Sequence, residues 1–319
     1  MAETAVTARE SRATRHAVGV GAALAAVYLL WGSVYVAVRV VVENAPPLLS
    51  VGPRYVVAGS ALALIAVGRR GLRAFRMSRT AFLGCCLLAV LLPILTNGTV
   101  VVAVSLGVAA GPAALLSALT PISIAILRVA DGDRPRLSTT IGVLVGLVGL
   151  AVLLLGGRPA TGFPLGPSLM VVLAANFWAL GSFLQPRLRL PADIFVTAAC
   201  EMVIGGLAMT IGGLVSGERL SQQWPAKTWL VMGYLTISTM VAFTSYVWLL
   251  ANARISLVTT HAYVNPIVAV LLAWILLSEP LSWPIITGGA VVLLAVILVI
   301  RGERAGGVAP PAKVLPPAG

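Results

Sequence analysis

The side chains able to do chemistry in this chain are few, and most stand inside apolar sequence. His261 and Asn265 lie four residues apart, which puts both on one face of a helix, near one end of the apolar run from Thr259 to Pro280. An imidazole titrates near neutral pH, so His261 suits either a proton-linked role or a hydrogen bond to a neighbouring helix. Asn265 precedes Pro266, whose ring removes a backbone donor, so its amide suits either a ligand or the carbonyl freed by that proline. Arg54 and Glu201 are charges within apolar runs. Arg54 can serve as an anchor that reaches to the membrane interface, and both can instead orient a ligand or brace a cavity wall. Trp31, Tyr35, Trp178 and Tyr246 are amphipathic rings, suited equally to an interfacial belt and to the wall of an apolar cavity. Such a cavity would take amphipathic or aromatic compounds and would receive polyanions poorly.

Bond-making chemistry finds no matching pattern. The chain has no phosphate-binding loop and no nucleophile–base–acid set. Its two histidines, His16 and His261, are too few for a metal site of the usual kind. Cys85, Cys86 and Cys200 lack metal-ligand spacing and read as small hydrophobes. Neither an enzymatic reaction nor a metal or other cofactor is expected.

The elements that carry these residues are set by composition. Hydrophobic residues form 59% of the chain and charged residues 10%, with a mean hydropathy of +1.00; a soluble domain of this length needs far more polar surface. The expected fold is therefore an all-α integral membrane protein. Segments of about 20 apolar residues give ten transmembrane helices at 17–42, 48–68, 79–98, 100–128 (beginning near 107), 138–157, 165–186, 193–216, 228–250, 256–278 and 282–301. Asn97-Gly98 and Gly111-Pro112 are expected to make the tight turn between the third and fourth. Residues 1–16 and the Pro/Ala/Gly-rich 302–319 read as flexible cytoplasmic tails. The first apolar run is too long for a signal-peptide core, and similar runs follow it.

The net charge of +12 could suggest a nucleic-acid partner, but most of the 22 basic residues fall in alternate loops. Arg69, Arg70, Arg73, Arg76 and Arg79 crowd one such loop, whereas the intervening loops keep little more than Arg158, Arg219 and Lys227. That bias follows the positive-inside rule and places both termini in the cytoplasm. The chain also repeats itself. Trp31 aligns with Trp178, Arg54 with Glu201 and Gly59 with Gly206 at an offset of about 147 residues. Pro121 aligns with Pro266, Asp133 with Glu279 and Gly142 with Gly288 at about 146. Five helices per copy is an odd number, so the second copy enters the membrane upside down. The units expected are two inverted five-helix repeats, 17–157 and 165–301, with a site between them at the midplane. Pro112, Pro121 and Pro266 are the candidate hinges. The nearly apolar, glycine-marked fifth and tenth helices read as scaffold or as dimer-facing helices.

The stretches LLWGSVYVAVRV (29–40), PPLLSVGPRYVVAGSALAL (46–64), LTPISIAIL (119–127) and HAYVNPIVAVLLAWILLSEPLS (261–282) resemble the EamA-type members of the drug/metabolite transporter superfamily. The resemblance covers nearly all of 17–301, and Tyr-Val-Asn-Pro…Glu-Pro-Leu is its most specific part. It implies alternating access and export of small metabolites, amino acids or drugs across the bacterial inner (plasma) membrane. It also implies a cavity lined by Trp31, Tyr35, Asn97, Trp178, Tyr246, His261 and Asn265, beside which the symmetric positions of Arg54 and Glu201 make them the supporting charges. The chain departs from the pattern at Val104-Ser105-Leu106, where many similar proteins carry polar or acidic residues. The partners so implied are a small-molecule substrate and the lipid bilayer. Protons as coupling ion and a second copy of the chain stay open, and no nucleic acid is expected. The alternative is a membrane subunit that transports nothing, or a lipid-handling or assembly partner.

Overall fold

The computed structural model describes residues 2–132, 136–156, 163–219, 224–253 and 260–305. Every regular element among them is helical. In chain order they are α1 (Ala2–Val42), α2 (Pro47–Arg70), α3 (Arg79–Ser105), α4 (Ala110–Ala130), α5 (Leu137–Gly156), α6 (Leu165–Leu184), α7 (Ile194–Val215), α8 (Ala226–Asn252), α9 (His261–Leu277) and α10 (Trp283–Ala305). Among the described residues nine of these are long and apolar enough to cross a membrane, and α9, at 17 residues, is the shorter tenth. Leu, Val and Ala fill the helix interiors. Proline stands at the start of α2, where its missing donor costs nothing. Outward faces stay apolar, with Leu144, Val148, Leu155, Ile275 and Leu276 all exposed, as lipid contact demands.

Most helix ends fall within a few residues of their expected places, and three expectations need correction. Helix α1 starts at Ala2, so the segment expected to be a flexible tail is helical from that residue. Asn97-Gly98 does not end the third helix. It closes a widened π-helical stretch, Val90–Gly98, inside α3, which then continues to Ser105. Pro93 lies in that stretch and supplies no backbone donor, so the turn opens; Asn97 repairs it by donating from Nδ2 to the Leu92 carbonyl at 3.0 Å. The chain reverses instead at 106–109, where Gly107 takes a φ of +103°, a conformation that glycine adopts without penalty. Gly111-Pro112 then lies in the first turn of α4. Asp133, the expected counterpart of Glu279, lies outside the described residues, as do 254–259 and the tail beyond 305.

The packing keeps the sequence repeat. Helices α2 and α7 form one extensive crossing, α5 and α10 another. A Cβ on Gly59 would stand 2.9 Å from Val203, and a Cβ on Gly206 would stand 2.9 Å from a Val56 methyl, the same contact with the halves exchanged. At the second crossing Gly142 faces Val299 and the Ala295 carbonyl, while Gly288 faces Leu153 and the Gly149 carbonyl. Each pairing returns itself at the 147- or 146-residue offset. Rising numbers on one helix meet falling numbers on the other, so both crossings are antiparallel. Outside them, α1 lies against α8 and α9, and α6 lies against α3 and α4, again an exchanged pair.

Candidate functional site

Helix α1 crosses α9 closely because Gly32 has no side chain: a Cβ there would come within 2.7 Å of Val268 and 3.2 Å of the Asn265 carbonyl oxygen. Side-chain hydrogen bonds fix the position of α1 further. Tyr28 bonds Thr260 at the head of α9, and Ser33 bonds the Tyr234 hydroxyl on α8 at 2.5 Å. This close approach brings three rings together. Trp31 and Tyr246 lie 5.1 Å apart between centroids, Trp31 and His261 5.3 Å, and Tyr246 and His261 5.5 Å. The rings are tilted or edge-on, the arrangements that aromatic quadrupoles favour. Apolar Val27, Leu24 and Leu249 are buried beside them. The cluster takes one ring from the first half of the chain and two from the second.

A polar tier lies one helical turn further along α1. The Tyr35 side chain lies close to Ser117 of α4 and to Tyr55 of α2. Next in the chain is Arg54, whose guanidinium carbon stands 5.3 Å from the Tyr55 ring centroid. Tyr35, Ser117 and Arg54 each sit about 10 Å along the helix axis from one and the same end of the bundle. Tyr55 and Ser117 were missed in the sequence. A tyrosine beside the charged Arg54 could have drawn attention, whereas Ser117 carries no signal of its own.

The remaining candidates separate. Asn97 spends its amide donor on its own helix. Asn265 makes no such bond, and its Oδ1 is buried without a partner, so the carbonyl freed by Pro266 is not its task. Trp178 is 40% exposed and makes no ring contact with the cluster. Glu201 keeps a buried, unpartnered Oε1 on α7. Arg54 is 6% exposed, too deeply buried to be the interfacial anchor its position allows. Pro112 is in the first turn of α4, Pro121 opens the second part of α4 after a break at Ala118–Leu119, and Pro266 lies inside an unbroken α9.

Both ends of the bundle are tied. Glu279, just beyond α9, accepts from the Ala110 and Gly111 amides at 2.7 and 3.0 Å, capping α4. Glu218, just beyond α7, caps α2 through the Leu48 and Leu49 amides at 3.1 and 2.8 Å. A carboxylate answers the unpaired donors and the positive pole of a helix start. At the opposite end Arg70 pairs with Asp193 at 3.0 Å and Arg187 with Asp131 at 2.7 Å.

Known proteins share this organisation. A family model described as the EamA-like transporter family matches residues 18–155 and again 166–301. The Escherichia coli K12 protein named "Uncharacterized inner membrane transporter YedA" is 34% identical over 284 residues, spanning 88% of this chain and 90% of that one. A Bacillus subtilis protein named "Uncharacterized transporter YvbV" is 24% identical, spanning 88% and 92%. A crystal structure at 20% identity superposes with a TM-score of 0.62 over 90% of this chain and 98% of its own, a likeness of fold.

Proposed function

We propose a function from one premise: the chain belongs to the EamA-like transporter family and is a multi-pass membrane transporter. It exports small amphipathic or aromatic metabolites, amino acids or drugs across the bacterial inner membrane, the membrane that the name of its E. coli relative gives for that protein. Ten helices cross the bilayer as two inverted five-helix repeats with both termini in the cytoplasm. Antiparallel crossings at α2–α7 and α5–α10 support the inversion, because the axis that exchanges such a pair runs across the helices and hence in the membrane plane. The arginine-rich loops support the orientation. The repeats rock about the site between them, exposing it to each side in turn.

The Trp31–Tyr246–His261 cluster carries this reading. It is built across the two halves, so movement of one half against the other must open or reshape it. An aromatic wall assembled in this way binds a ring or an alkyl body by stacking and burial. Flux across proteoliposomes, measured over a panel of amino acids, aromatic metabolites and cationic drugs, tests the proposal. Outward movement of at least one compound is the expected result, and folded protein that moves none would refute it. A stable co-purifying partner protein in that case would favour the subunit reading instead.

A further inference from the structure

We infer that Arg54 is an anion site in the transport path: it holds a carboxylate or similarly compact anionic group of a ligand whose apolar body reaches toward the aromatic cluster. This assignment rests on the transporter reading above and adds a charge class to it.

A guanidinium stays charged in proteins, so its surroundings must answer that charge. Arg54 lies about 10 Å inside the bundle and is 6% exposed. Its Nε and Nη1 are sealed off with no hydrogen-bond partner. Among the described residues no carboxylate pairs with it; the ion pairs there join Arg39 to Glu43, Arg70 to Asp193 and Arg187 to Asp131. Among the described residues the Tyr55 ring is its one aromatic contact, and a ring face offers far less than a counter-ion. A snorkelling arginine would hold its nitrogens in water, and a structural arginine would hold them on a carboxylate or on carbonyls. Arg54 does neither. A buried, always-charged fork of donors without an acceptor has the electrostatics of a site whose anion comes and goes.

Its position gives the ligand a shape. Arg54 shares its depth in the bundle with the Tyr35–Ser117 pair, and Tyr35 follows Trp31 by one turn of α1. A compound with its charge at Arg54 can extend its body past Tyr35 to the three rings. One guanidinium without a carboxylate among the described residues suits a single negative charge. At the symmetric position Glu201 replaces arginine with the opposite charge, so this anion site exists once, in the first half, and has no duplicate in the second.

Three probes that share an indole ring separate the possibilities: indole-3-acetate is anionic, tryptophol neutral and tryptamine cationic. Their affinities for the purified full-length protein are measured by titration calorimetry. Indole-3-acetate is expected to bind at least tenfold more tightly than the other two, and R54Q to reduce that preference below threefold. R54K, which keeps the charge but loses the planar fork, should lower the preference at least threefold; it decides the matter if R54Q fails to fold. Equal affinities, no binding of indole-3-acetate, or a preference unchanged in both variants overturns the assignment. Flux in proteoliposomes keeps the two readings apart. The expected charge preference without flux sinks the transporter reading alone, and flux without charge preference sinks the anion site alone.

Discussion

His261 is the residue whose meaning changes most between sequence and structure. Alone in an apolar run, it invites a proton-linked role; in the folded chain two aromatic rings flank it at 5.3 and 5.5 Å. Packing against rings is the arrangement that the proposed binding wall requires. We expect His261→Gln to weaken binding of an aromatic ligand about tenfold, the value of roughly one lost aromatic contact, while leaving the shape of the pH–transport profile unchanged. A displaced profile would return the proton role to this residue. The two asparagines changed in a similar way. Asn97 and Asn265 looked alike as intramembrane amides, yet Asn97 mends the helix opened at Pro93 and Asn265 leaves its carbonyl oxygen unanswered. Hydrogen-bond partners four or five residues away depend on whether a turn is α or π, which the sequence does not state.

Helix contacts carry predictions of their own. At the α2–α7 crossing a side chain larger than hydrogen on Gly59 or Gly206 meets backbone as well as methyl groups, so the helices must part. Gly206→Leu and Gly59→Leu are each expected to cost about 1–3 kcal/mol, the usual range for overpacking. The two losses should also be alike, because the contacts are the same with the halves exchanged. Gly212→Leu is the control, since a Cβ there would meet only a Leu48 methyl at 3.9 Å. Chemical unfolding in detergent measures all three, and unequal losses would break the symmetry argument. Glu279 ties α9 to the start of α4 by two amide bonds. Glu279→Gln keeps the shape and removes the charge, and should lower stability by about 1–2 kcal/mol. Thermal midpoints of wild type and variant would show it. The same substitution should raise the reactivity of a cysteine placed at Gly111 toward a water-soluble thiol reagent, because the carboxylate no longer holds the start of α4 against the end of α9.

At the scale of the whole molecule the prediction is topological. Single cysteines at Arg73 and Ser221, in a background lacking the three native cysteines, should label from opposite sides of the membrane. An impermeant maleimide applied to intact cells is expected to reach position 221 and miss position 73 until the cells are opened. Labelling of both from one side would refute the inverted arrangement. Much of this molecule is legible in its sequence: hydropathy marks the helices because lipid leaves the backbone no other partner, and the 147- and 146-residue offsets foretell two helix crossings down to the glycines. These are properties of one segment, or of two segments compared, and composition carries them. Which residues form the site is another kind of fact. Trp31, Tyr246 and His261 meet because Gly32 lets α1 approach α9, while Trp178, the sequence equivalent of Trp31, stands apart and 40% exposed. Arg54 reads in sequence either as an interfacial anchor or as a charge that orients a ligand or braces a cavity wall; only packing seals its Nε and Nη1 from water and leaves them, among the described residues, without a carboxylate. Burial and the absence of a counter-ion depend on all neighbours at once, and those neighbours come from helices far apart in the chain, so only the tertiary structure could decide them.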